Sequence, residues 1–128
     1  DALRRQLLEF QRLLFKAGAE TAMPPDPAAA RSARIGPADC ERLDAQCADM
    51  EQRANAPRDF ILPGENIKGA HLDLARAVAR RCERRLVALS EAGAVSNPCL
   101  LQWMNRLSDA LWLMARLAEV RSRALRSN

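Results

Sequence analysis

A chain of 128 residues, 48% hydrophobic and 28% charged, has the size and make-up of one folded domain, which excludes a disordered polypeptide. Aromatic residues are few and tyrosine is absent, so the core must be built from Leu, Ala, Val and Met, a palette that favours packed helices over a sheet. The net charge of +4 comes almost wholly from arginine, the only lysines being Lys16 and Lys68; guanidinium forks suit anionic partners, although a GC-rich genome enriches Arg and Ala as well.

The first helical pattern runs from about Ala2 to Ala19, with Leu3, Leu7, Phe10, Leu14 and Ala17 on one face and Gly18 as a stop. The chain begins Asp1-Ala2-Leu3, without an initiator Met and already inside this pattern, so a preceding N-terminal segment is expected. The prolines of Met23-Pro24-Pro25-Asp26-Pro27 forbid a continuous helix, and an Ala/Arg/Ser stretch continues to Gly36. A second helix starts at Pro37, carries Cys40, Leu43, Cys47 and Met50 as its apolar stripe, and fades near Asn55-Ala56-Pro57. Phe60-Ile61-Leu62 is a short extended piece closed by Pro63-Gly64, read as a buried link or as a wall for a flat apolar ligand.

The third helix spans about Gly69 to Ala92 and ends at Gly93, with Leu72, Ala75, Val78, Ala79, Cys82, Leu86 and Leu89 as its buried stripe. The last opens at Asn97-Pro98, a cap followed by a first-turn proline. It runs to about Arg123 with Leu100, Met104, Leu107, Leu111, Met114 and Leu117 facing the core, Trp103 and Trp112 near them, and frays into Arg126-Ser127-Asn128. Four helices with one extended link predict an all-α helical bundle, a single domain over residues 1–128.

Cys40, Cys47, Cys82 and Cys99 form no C-x-x-C pair, and His71 is the single histidine. No zinc spacing exists, no metal ligands are assigned, and the cysteines are expected as free thiols in a reducing cytoplasm. No leader or long apolar run is visible, so neither export nor a membrane span is expected.

Chemistry concentrates on the third helix. Arg76 and Glu83 project almost together, with Arg80 between them, Arg84 beside it, and Arg81 and Arg85 on an adjacent face. An ordinary solvated face would neutralise such a run with i,i+4 ion pairs. A polyphosphate would accept it through bidentate, charge-assisted bonds, with Glu83 orienting an arginine or accepting a sugar hydroxyl. On the last helix Asn105 and Asp109 stand one turn apart beside a Leu/Met core. Poor helix formers there imply a specific hydrogen-bonding duty or a helix–helix polar contact.

The strings FILPG at 60–64, LARAVARRCERRLVAL at 74–89 and MNRLSDALWLMAR at 104–116, in this order, resemble the PduO-type ATP:cob(I)alamin adenosyltransferase family. LLEFQRLLFKAGAE in the first helix resembles that family's second helix. The resemblance implies a five-helix bundle of which four helices are represented, an enzyme assembled as a homotrimer with sites between subunits, and ATP, cobalamin and Mg2+ as ligands. A flavin-type reductase is a further implied partner. Carried over by position, Arg80, Arg81, Glu83, Arg84 and Asn105 correspond to ATP-binding residues, with Arg80 and Asn105 as the catalytic contacts. Phe60 corresponds to the aromatic on the lower face of the corrinoid, and Arg76 to an intersubunit salt bridge. The chain departs from the family pattern at Gly64-Glu65, where Gly-Gly is usual, at Asp73 in place of a histidine, and at Cys82 in place of alanine; the family's N-terminal phosphate-binding segment has no counterpart in it. A non-catalytic corrinoid-binding or scaffold paralogue is therefore the alternative. Nucleic-acid binding is not expected, because the arginines alternate with an apolar stripe and no recognition fold is visible.

Overall fold

The computed structural model describes residues 1–22, 34–55 and 59–126, with side chains in the last helix described as far as Val120 and at Ser122. The proline-rich loop at 23–27, the stretch after it, Ala56-Pro57 and the fraying end at 127–128 lie outside the described residues. The described residues form four helices: α1 (Ala2–Ala22), α2 (Pro37–Ala54), α3 (Ile67–Glu91) and α4 (Pro98–Arg126).

Each boundary has a local cause. At the start of α2, Pro37 occupies the first turn and the Asp39 carboxylate reaches back to accept the Gly36 N–H at 2.9 Å. Asn55 ends α2 in the left-handed region at φ 41°. Asn66 caps α3, its Oδ1 accepting the Gly69 N–H at 2.7 Å, so the helix begins two residues before the position that apolar periodicity alone indicates. Gly93, at φ 76°, and the Ala94 N–H to Leu89 carbonyl bond of 2.9 Å turn the chain out of α3. Asn97 then caps α4 through the Cys99 N–H at 3.0 Å, while its amide donates to Glu20 at 2.6 Å and to the Ile35 carbonyl at 2.8 Å. That one side chain ties the end of α1, the entry to α2 and the start of α4 together.

α4 is the central helix. It packs along α3 and along α2, touches α1 lightly, and its middle turns are buried nearly all round, from Ala110 to Glu119. α2 presents Cys40, Leu43, Cys47, Met50 and Ala54 to it, matching the predicted stripe. α1 contributes Phe10 and Ala17 to the core, with Leu3, Leu7 and Leu13 beside them. Leu14, which the spacing places in the core, is exposed, because α1 lies against one seam only.

Two expectations fail. In α3 only Gly69, Leu72, Ala79 and Leu86 are buried. Ala75, Val78, Cys82 and Leu89 form a second apolar stripe that faces away from α4, and among the described residues no other helix packs on α3. The link at 60–62 is not buried either: Phe60 and Leu62 are fully exposed and only Ile61 is half-buried. Three apolar residues followed by a proline and a left-handed glycine (Gly64, φ 94°) cannot fold back as a helix, and no layer of the bundle lies over them.

Candidate functional site

The Asp73–Arg116 contact of 2.6 Å and the approach of Gly69 to Glu119 set α3 and α4 antiparallel and fix their register. Both helices rise equally per residue, so about two turns from the Asp73–Arg116 pair Arg80 comes level with Asp109. About three turns from it, Arg84 comes level with Asn105. Asp73, Arg80 and Arg84 lie along one line of α3, and Arg116, Asp109 and Asn105 along one line of α4. The two lines border a shallow polar seam, closed at one end by buried Arg116 and open to solvent at the other, where Arg80, Arg84 and Asn105 are exposed.

Arg81 and Arg85 are also exposed, while Arg76 and Glu83 are half-buried towards α4. Among the described residues none of these five arginines forms an ion pair, and Glu83 Oε2 is buried with no hydrogen-bond partner. Elsewhere some arginines are neutralised, Arg53 with Asp49 at i,i+4, Arg42 with Glu9, and Arg106 with Asp44 and Asp109, while Arg4, Arg5, Arg12 and Arg34 form no ion pair among the described residues. What α3 offers is a run of free guanidinium groups beside an unsatisfied carboxylate oxygen, an arrangement that can grip a polyanion carrying hydroxyl groups.

The side chain of Asn105 has no partner among the described residues; its carbonyl accepts the Ser108 hydroxyl at 2.9 Å. Asp109 accepts from Arg106 Nη1 at 3.2 Å while Arg106 Nε donates to Asp44 at 2.9 Å. Arg106 thus holds the acidic group that stands level with Arg80. Phe60 and Leu62 project from the loop before α3 and are exposed, with no packing partners among the described residues. His71 is exposed, Trp103 is buried and Trp112 half-buried with the Arg116 guanidinium 5.4 Å from its ring centroid.

Sequence reasoning missed the buried cluster around Arg116. Its Nη2 donates to Asp73 at 2.6 Å and to Glu119 at 3.2 Å, and Nε lies 3.1 Å from the second Glu119 oxygen. The signal was present: an arginine and a glutamate interrupt the apolar run of α4, and buried charges demand partners. Burial pushes the Glu119 carboxyl above its ordinary value, the neighbouring Asp73 and Glu65 add to this, and Arg116 and a backbone N–H of Glu65 oppose it.

The sequence model of the family described as cobalamin adenosyltransferase matches residues 1–118. A corrinoid adenosyltransferase of Citrobacter freundii is 36% identical over 118 residues, which cover 91% of this chain and 66% of that protein. The corrinoid adenosyltransferase PduO of the same organism is 40% identical over 113 residues, 88% of this chain and 33% of that protein. Among solved structures, a variant of the PduO-type ATP:corrinoid adenosyltransferase from Lactobacillus reuteri, complexed with cobalamin and ATP, superposes with a TM-score of 0.84 at 31% identity. The match covers 95% of this chain and 65% of that one. The chain thus spans just under two thirds of the shorter relative and about one third of the longer. With its four helices in the same arrangement and its sequence matched over nearly the whole length, the chain belongs to the cobalamin adenosyltransferase family.

Proposed function

We propose that the protein of which this chain forms the helical part transfers the 5′-deoxyadenosyl group of ATP to the Co(I) centre of a corrinoid. Cobalt supplies the electron pair for the new bond to the 5′ carbon. The bond from that carbon to oxygen breaks, and its electron pair leaves with triphosphate. The observation that carries this reading is the run of unpaired guanidinium groups on α3 lying level with Asn105 and Asp109 on α4.

In this reading Arg80, Arg81 and Arg84 hold the phosphates and neutralise charge that grows on the leaving group; preorganised charge of this kind is commonly the largest catalytic contribution. Asn105 contacts the nucleotide, and Glu83 accepts a ribose hydroxyl with its free oxygen. Magnesium assists at the phosphates of ATP. Phe60 lies against the lower face of the corrinoid, takes the place of an axial ligand and excludes water. Arg76 pairs across a subunit boundary. A homotrimer gives the outward stripe of α3 a surface to meet, and the reading places the enzyme in the cytoplasm beside a flavin-type reductase that delivers Co(I). No helix among the described residues is long and apolar enough to cross a membrane.

The test is an assay of the complete protein with ATP and reduced cobalamin, followed through the absorbance of the cobalt–carbon product. Product is expected, and Phe60→Ala is expected to spare ATP binding while slowing adenosylation. Corrinoid bound without turnover would instead establish a non-catalytic binding protein.

A further inference from the structure

α3 meets α4 through contacts of two physical kinds. Its buried residues, Gly69, Leu72, Ala79 and Leu86, make one narrow strip. Apolar packing is non-directional, so such a strip keeps most of its buried area when a helix rotates or slides a little against its neighbour. Hydrogen bonds to buried charges have no such freedom. Among the described residues, the side-chain hydrogen bonds that tie α3 and its cap to α4 fall within about the first two turns of α3. Asn66 donates to the Ala118 carbonyl at 3.1 Å and to the Ser122 hydroxyl at 2.7 Å, and Asp73 accepts from Arg116 Nη2 at 2.6 Å.

The Asp73 bond is the buried one. The side chains of Arg116 and Asp73 are 4% and 14% exposed. Arg116 is also held by its own helix: Nη2 donates to Glu119 Oε1 at 3.2 Å, and Nε lies 3.1 Å from Oε2 without the alignment of a hydrogen bond. The guanidinium is therefore fixed to α4 and cannot follow α3 if α3 moves; Asp73 has to come to it. Leaving a buried charge short of a partner is costly, and setting register is the best-attested use of such groups. Further along the same line of α3 stand Arg80 and Arg84, which form no ion pair among the described residues.

We infer that Asp73 is a positioning residue for the nucleotide: by docking on the Arg116–Glu119 pair it fixes α3 against α4 and so brings Arg80 and Arg84 level with Asp109 and Asn105. The nucleotide half of this inference rests on the adenosyltransferase reading. Asp73 lies about two turns from Arg80 and acts on ATP only through the placement of α3. In its absence Glu119 still neutralises Arg116, so the bundle stays folded while the arginines lose their fixed place opposite α4.

The experiment measures equilibrium binding of ATP to the complete protein, each variant first shown to be folded by circular dichroism. Asp73→Ala should raise the Kd for ATP about tenfold, the scale of one lost hydrogen bond to a charged group. Asp73→Asn keeps an oxygen at the same reach for Arg116 Nη2, and a neutral acceptor retains about half the strength, so its Kd should lie within about threefold of the unaltered value. Arg80→Ala should weaken ATP about tenfold in the unaltered background but less than about threefold when combined with Asp73→Ala, because an arginine already out of place has little left to lose. Where Asp73→Ala does not fold, Arg116→Lys takes its part in the same measurements: it keeps the charge but not the fork that reaches Asp73 and Glu119 together. An unchanged Kd in folded Asp73→Ala overturns the positioning role. So does an Asn variant as impaired as Ala, and so do additive costs in the double variant, which are the mark of a contact that only stabilises the fold. Unaltered protein that binds no ATP overturns the adenosyltransferase reading instead, and the nucleotide half falls with it.

Discussion

At the scale of single residues, the arginines of this chain fall into two kinds. Arg42, Arg53, Arg106 and Arg116 have carboxylate partners; Arg80, Arg81 and Arg84 have none among the described residues, and neither do Arg4, Arg5, Arg12, Arg34, Arg76 and Arg85. Arg106 matters to this contrast, because it occupies Asp109, the acidic group level with Arg80, and so leaves the Arg80 guanidinium available. If phosphates are what it waits for, Arg80→Ala lowers kcat/KM with ATP by about 10² or more, the usual cost of deleting one preorganised donor. The thermal midpoint should stay within about 1 °C, because exposed side chains away from a structural feature contribute little. An unaltered rate would remove Arg80 from the site. The cysteines separate in a similar way. Burial pushes the Cys40 and Cys47 thiols up to about 11 from 9.0, so about a hundredfold less thiolate is present at neutral pH. Cys82 is exposed. A thiol reagent at pH 7.5 should therefore label Cys82 in the native chain, and Cys40 and Cys47 only after unfolding; mass spectrometry of digested samples reads the order directly.

At the scale of elements, α3 has two apolar faces, and one of them meets α4. Its N-terminus approaches α4 closely at Gly69. Ordinarily Gly→Ala inside a helix gains up to about 1 kcal/mol from backbone entropy. At Gly69 the added methyl would stand 3.0 Å from Glu119 Oε1, 3.2 Å from its Cγ and 3.3 Å from the capping Asn66 Oδ1. Glu119 is pinned by Arg116 and Asn66 by its three hydrogen bonds, so neither yields freely. Gly69→Ala is expected to destabilise the protein by about 1 kcal/mol or more in urea melts, typical of an overpacked site. A stabilised variant would show that the Glu119 cluster is looser than its geometry implies.

At the scale of the whole molecule, a buried guanidinium and two carboxylates sit between α3, α4 and the loop before α3. Glu119 titrates above the ordinary carboxylate value of 4.5, chiefly because it is buried. An acid raised in the folded state binds its proton more tightly there than in the unfolded chain. Its contribution to stability is thus fully present below pH 4.5 and is lost as pH rises through the folded value. The groups around it are Arg116, Asp73 and Glu65. Glu119→Gln cannot titrate, so its unfolding free energy should fall less between pH 4.5 and 7 than that of the unaltered protein. Parallel pH curves would refute the assignment.

Much of the helical layout was legible in the sequence because its causes are short-range. Apolar spacing along α2 and α4, Pro37 in a first turn, Asn97-Pro98 at a start and Gly93 at a stop all act within a few residues of the chain. The strings that carry the family resemblance are contiguous for the same reason. Only the tertiary structure decided which face of α3 is covered, that Phe60 and Leu62 stand in solvent, and that Asn105 comes level with Arg84. It alone joined Asp73 to Arg116. Those outcomes depend on register between separate elements of the chain, and local periodicity carries no information about register: it marks a stripe as apolar but not what comes to lie against it.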